Sequence, residues 1–172
     1  MPADYASLIR NIPDFPVPGI MFKDITPLLQ DGAAYRKVVQ DMCDPFRGQA
    51  IDQILAIEAR GYLLGAPMAV ELGAGFVPVR KVGKLPFDTL RAEYALEYGE
   101  AVIEMHKDGL LSHHNVLIVD DVLATGGTLA ATADLVRQAG ATVAGMAVLI
   151  ELDGLNGRER LQGSPLFSLM HM

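Results

Sequence analysis

The run from Asn115 to Ile150 limits the possible folds more than any other part of this sequence. Asn115-Val116-Leu117-Ile118-Val119 is apolar and rich in β-branched residues, as expected of a strand buried on both faces. Two adjacent acids, Asp120 and Asp121, come next, and then Val122-Leu123-Ala124-Thr125-Gly126-Gly127-Thr128. From Leu129 the apolar positions Leu129, Ala133 and Val136 recur at helical spacing up to Gly140, which stops the helix. Thr142 to Ile150 reads as a second buried strand. Strand, acids, small-residue loop, helix and strand make one βαβ crossover, the unit of a parallel sheet. The expected fold is α/β, a central mainly parallel sheet flanked by helices.

The loop chemistry points to a phosphate. Gly126 and Gly127 lack a Cβ, which allows positive φ and close backbone approach to a ligand. Ala124-Thr125-Gly126-Gly127-Thr128 leads into a helix start, where unpaired N–H groups and the dipole attract an anion. Thr125 and Thr128 add hydroxyl donors. No Gly-Lys-Ser/Thr follows, so this is not a Walker loop, and the glycines do not fit G-x-G-x-x-G. Carboxylates repel phosphate but accept hydrogen bonds from sugar hydroxyls and can assist a metal. Hydroxyls at Asp120 and Asp121 with a phosphate at 124–128 describe a ribose 5-phosphate. Neighbouring side chains on a straight strand leave opposite faces, so a shared ribose requires the chain to turn at the acid pair.

Composition narrows the class. At 172 residues, 51% apolar and 20% charged, the chain fits one globular domain spanning residues 1–172. No apolar run reaches the ~20 residues of a membrane span, and the N-terminus has no signal pattern. A lone cysteine, Cys43, permits no internal disulfide and suits a reducing, cytoplasmic interior. The net charge of −7, with scattered cations, argues against a nucleic-acid partner.

Other segments repeat the theme of ligand groups after strands. Gln53–Ile57 reads as a buried strand ending in Glu58-Ala59-Arg60-Gly61, with a helix from Tyr62 to about Leu72 that contains Pro67. Arg60 and Gly61 are candidates for binding pyrophosphate. Gly75–Arg80 gives a third strand, and Arg80, Lys81 and Lys84 around Gly83 suit a loop meeting a highly charged ligand. Residues 91–106 read as a hairpin or flap, with Val102, Glu104 and His106 on a wet face opposite Ile103 and Met105. Tyr5–Ile12 reads as a short helix, Pro13–Gly19 as a proline-rich lid, and Asp31 as the cap of the helix after it. The apolar tail from Leu166 suits an edge strand.

Several of these motifs resemble a known family. Val119-Asp120-Asp121-Val122-Leu123-Ala124-Thr125-Gly126-Gly127-Thr128 is similar to the phosphoribosyl-pyrophosphate (PRPP) signature of type I phosphoribosyltransferases, and its form resembles the adenine-specific branch. Pro13-Asp14-Phe15-Pro16 with Pro18 to Leu28, Glu58-Ala59-Arg60-Gly61-Tyr62, Ala95 to Glu100 and Glu151 to Glu159 also resemble that branch, in the expected order. Met21 and Ala59 are small departures.

The resemblance implies transfer of the phosphoribosyl group of PRPP to N9 of adenine, giving AMP and pyrophosphate, with Mg2+ entering with PRPP. It implies that Glu97 and Tyr98, with Arg60, act in catalysis, Glu97 handling a proton on the base. Backbone groups of Met21 and Lys23 would read the adenine edge and Leu152 would pack on the base. A hood from about 1–30 and 151–172 and a homodimer are also implied. The alternatives are an enzyme for another purine base and a PRPP-sensing regulator of the same fold; the latter would need a basic face or a helix-turn-helix segment, and the sequence has neither.

Overall fold

The computed structural model describes residues 4–96, 99–161 and 163–172. They form two compact units, divided between Asp41 and Met42.

In the first unit, a 3-10 turn at Tyr5–Leu8 leads into β1 (Arg10–Ile12), which pairs antiparallel with β2 (Phe22–Asp24). The helix expected to reach Ile12 is therefore only one turn long. Its last residues are extended because Asn11 and Ile12 find ladder partners in Lys23 and Phe22. The proline-rich connection places Phe15 edge-on to Phe22 with ring centroids 5.0 Å apart. Helix α1 (Thr26–Gln30) follows, and α2 (Gly32–Cys43) is capped as expected, the Asp31 carboxylate accepting the N–H groups of Ala33 and Ala34. Val38, Val39 and Met42 are buried, and so is Cys43, whose thiol is pushed up to about 11 chiefly by burial. A thiol so held is inert packing.

The second unit is built on a seven-stranded sheet. Its strands are β3 (Gln53–Ile57), β4 (Gly75–Lys81), β5 (Thr89–Leu96), β6 (Gly99–His106), β7 (Asn115–Leu123), β8 (Thr142–Glu151) and β9 (Leu166–His171). Their order is β5-β6-β4-β3-β7-β8-β9. The ladders from β4 through β9 are parallel, and the β5–β6 hairpin adds the antiparallel edge. Leu117, Ile118, Ile54, Leu55, Val148 and Leu149 are fully buried, which is why these strands read as continuous apolar runs. Two helices complete the crossovers, α3 (Arg60–Leu72) and α4 (Gly127–Gln138). α3 runs through Pro67 without interruption, its outer side marked by the exposed Leu63 and Val70. The tail is the edge strand β9, as its composition suggested.

The expected turn at the acid pair is absent. β7 continues through Asp120 and Asp121 to Leu123, because Asp120, Val122 and Leu123 pair with Val148, Ile150 and Glu151 of β8. Both acids nonetheless border the same cavity, Asp121 the more deeply buried of the two. The chain turns at Ala124, and positive φ falls at Gly126 (+83°).

Candidate active site

In the second unit, the carboxyl ends of β3 and β7, the start of α3 and the end of β4 surround a cavity of ≈ 490 Å³. Ligands collect at this edge of parallel sheets because the crossovers leave a crevice there. Glu58, Arg60, Arg80, Lys81, Asp120, Asp121, Ala124 and Thr128 border it, with Tyr94 of β5 on one side. A smaller cavity of ≈ 70 Å³ adjoins, formed by Asp120 and residues 122–129, so Thr125, Gly126 and Gly127 face it.

That smaller cavity lies at the N-terminus of α4. Gly126 occupies the cap position and offers no side chain to the first-turn N–H groups. Packing enforces the glycine: a Cβ at Gly126 would lie 2.4 Å from the Gly157 carbonyl oxygen, and one at Gly157 only 2.2 Å from that of Ala124. The 3-10 turn Gly157–Leu161 thus supports the loop from behind. Leu152 joins the same support, its N–H donating to the Leu123 carbonyl at 3.0 Å.

The acid pair is asymmetric. Asp121 is 4% exposed, and its Oδ2 lies 2.6 Å from Arg60 Nε. Asp120 retains some exposure toward the cavity, and its Oδ1 accepts the Asp121 N–H at 2.9 Å. Burial, and then the neighbouring Asp121 carboxylate, push Asp120 well above the ordinary 3.8, with Arg60 opposing them. Gly61 allows the pair to pack this closely, since a Cβ there would lie 3.0 Å from Asp120 Oδ1.

The cations are held by a residue that sequence reasoning passed over. Glu58, which is joined to Ala59 by a cis peptide, accepts the Lys81 N–H at 2.7 Å and the Arg80 Nε–H at 2.9 Å, and lies 3.1 Å from Lys84 Nζ. Burial would raise its pKa, but these donors outweigh it and hold Glu58 below the ordinary range. The sequence signal was present: an acid next to the anion-binding candidates Arg60 and Gly61, ending a buried strand.

The remaining candidates are more scattered. Glu97 and Tyr98 lie outside the described residues. Met21 is half-exposed in the first unit, and Lys23 Nζ donates to Asn11 Oδ1 at 2.8 Å. Glu104, expected on a wet face, is 1% exposed, because the segment 83–91 folds over it.

This constellation defines a class. A family model described as phosphoribosyl transferase domain matches residues 29–169, which include every residue bordering the two cavities. The chain is 54% identical over 170 residues to an adenine phosphoribosyltransferase of Roseiflexus sp. (strain RS-1), covering 99% of both chains. The crystal structure of adenine phosphoribosyltransferase from Thermoanaerobacter pseudethanolicus superposes with a TM-score of 0.96 at 50% identity, with 98% of each chain covered. That from Saccharomyces cerevisiae, in complex with D-2,5-dideoxy-2,5-imino-altritol 1,6-bisphosphate and adenine, gives a TM-score of 0.91 at 37% identity over 97% of each. The chain belongs to the adenine phosphoribosyltransferase family.

Proposed function

We propose that this chain transfers the 5-phosphoribosyl group of PRPP to N9 of adenine, releasing pyrophosphate and forming AMP for purine salvage. The observation that carries the reading is the convergence on one cavity of an uncapped helix N-terminus, a carboxyl pair and a cationic loop. The three groups match the 5-phosphate, the ribose hydroxyls and the pyrophosphate of one substrate. The yeast relative is seen with adenine, which supports adenine as the base.

In this reading the N–H groups of 124–128 take the 5-phosphate. Asp120, the more open acid, accepts from the ribose hydroxyls, with Asp121 behind it on Arg60. Fixing the sugar at both points brings C1 to the attacking nitrogen, and positioning of this kind can lower a barrier by ~7–11 kcal/mol. N9 forms a bond to C1 while the bond from C1 to the pyrophosphate oxygen breaks, and that electron pair leaves with pyrophosphate. Arg60, Arg80, Lys81 and Lys84 stabilise the charge gathering there. Glu97, with Tyr98 beside it, moves the proton the base sheds. Met21 and Lys23 read the adenine edge through backbone groups, and Leu152 packs on the base.

Magnesium fits the donor set, because the adjacent carboxyl groups of Asp120 and Asp121 border one cavity and offer the oxygen ligands a hard cation takes. It would enter on PRPP, face Asp120 and Asp121, and supply neutralisation of the departing pyrophosphate. We also propose a cytoplasmic homodimer; no helix among the described residues is long and apolar enough to cross a membrane.

The test is AMP formation from PRPP with adenine, hypoxanthine, guanine and xanthine supplied separately. Adenine pairs an amine donor with an acceptor, whereas the others present a carbonyl beside an N–H. The expected result is turnover on adenine with the others weaker by ~10⁴–10⁵. Comparable turnover on hypoxanthine or guanine would sink the adenine assignment, and PRPP binding without turnover on any base would favour a regulator.

A further inference from the structure

Glu104 lies on β6, 1% exposed, in a stretch whose alternation marks it for solvent. Four donors meet its two oxygens. Oε1 accepts the N–H of Gly83 at 3.0 Å and of Leu85 at 3.4 Å, and Oε2 accepts Thr89 Oγ1 at 3.0 Å and Arg91 Nε at 3.2 Å. All four come from one segment, 83–91, which closes over the carboxylate and removes it from water. Burial by itself would favour the neutral acid, but these donors outweigh it and keep Glu104 ionised.

The pinned segment carries Lys84 and follows closely on Arg80 and Lys81, the last two residues of β4. Gly83 and Leu85 flank Lys84, so the two N–H groups bound by Glu104 fix the backbone on either side of that lysine. Arg80 is the register partner of Glu104 across the β4–β6 ladder, and Lys81 pairs with Ile103. Gly83 has φ +87°, the turn that returns the chain toward the carboxylate. On the cavity side Glu58 takes the Arg80 and Lys84 side chains. Glu58 thus holds the Arg80 and Lys84 side chains and the Lys81 N–H, while Glu104 holds the backbone on either side of Lys84 together with the Thr89 and Arg91 side chains.

We propose that Glu104 is a positioning residue for the pyrophosphate end of the site: it templates the 83–91 turn so that Arg80, Lys81 and Lys84 are in place before the substrate arrives. This rests on the reading that those three cations receive pyrophosphate. Glu104 is sealed from the cavity by the turn and touches no substrate, so its effect passes entirely through the loop. A residue acting this way sets affinity for ligands that carry pyrophosphate and leaves affinity for those without it unchanged.

The experiment is calorimetric titration of the full-length protein and its Glu104→Gln variant with PRPP, pyrophosphate and AMP, with Mg2+ constant. Glutamine keeps the shape but sets an NH2 against donors that needed an acceptor. Dissociation constants for PRPP and pyrophosphate should rise about 10–100-fold, as for a loop displaced by about an ångström, while AMP binding stays within about twofold. KM for PRPP should rise with KM for adenine unchanged. Unaltered PRPP affinity, or equal weakening of PRPP and AMP, overturns the role of Glu104, the second outcome marking a merely structural acid. Wild-type protein that binds AMP but not pyrophosphate overturns the reading beneath it instead, before any variant is made. Should Glu104→Gln fail to fold, Thr89→Val removes a single donor; about a threefold loss confined to PRPP and pyrophosphate is then expected, and a loss shared with AMP overturns the proposal.

Discussion

The loop at 124–128 and the cationic end of β4 with the turn after it meet at one cavity, which Ala124, Thr128, Arg80 and Lys81 border, and they are made differently. The first is a backbone device. Its N–H groups come from a helix start, its shape from Gly126, and its support from the Gly157 and Ala124 carbonyls packed against glycines. The second is a side-chain device, in which cations are spread along a stretch held by two carboxylates, Glu58 through three donors and Glu104 through four. A backbone device tolerates exchange of its side chains and fails when a Cβ intrudes; a side-chain device tolerates neither loss of charge nor loss of a partner.

The largest expected effect is on the proton rather than on either phosphate. Glu97→Gln should lower turnover by roughly 10²–10⁴ if Glu97 moves the proton, while calorimetry shows PRPP affinity unchanged. Full turnover on adenine would remove Glu97 from the mechanism. Next comes Gly126→Val, which forces a β-branched side chain into positive φ and against the Gly157 carbonyl. It should cost about 10²–10³ in kcat/KM for PRPP, whereas Thr125→Val, which spares the backbone, should cost under about tenfold. Equal losses in the two variants would mean that hydroxyls, not N–H groups, hold the phosphate.

These contrasts also explain what could be read from sequence. The βαβ unit is local: its apolar runs, its glycines and Gly140 lie within one stretch, so strand, loop and helix followed directly from spacing. The turn at the acid pair failed because β8 offers ladder partners through Leu123, a tertiary effect that overrides local turn chemistry. Glu104 failed for a related reason. Period-2 alternation reports which face a side chain leaves from, but the cover over that face comes from a loop 13 to 21 residues away. The same distance hid the link from Glu58 to Lys84, 26 residues on.

A smaller effect sharpens the buried half of the side-chain device. The folded pKa of Glu104 is depressed, so its contribution to stability is complete above the unfolded-state value near 4.5 and is lost as pH falls through the lower folded value. Thermal melts of wild type and Glu104→Gln should therefore differ by a constant amount above pH 4.5 and converge below it. A gap that stays constant into stronger acid would mean that the charge of Glu104 is not what the turn requires. The smallest effect is expected at Met21→Leu. Backbone groups are proposed to read the base there, so selectivity for adenine over hypoxanthine should stay within about twofold of wild type; lost selectivity would assign the choice to side-chain shape.

The central claim is that the start of α4 holds the 5-phosphate while the cationic turn is reserved for pyrophosphate. A crystal structure of the protein with AMP tests it most directly. The account predicts phosphate oxygens within about 3 Å of backbone N–H groups between Thr125 and Thr128, the ribose hydroxyls at Asp120, and no phosphate contact from Arg80 or Lys84. A phosphate bound instead by Arg80, Lys81 or Lys84, with the 124–128 loop empty, would contradict it.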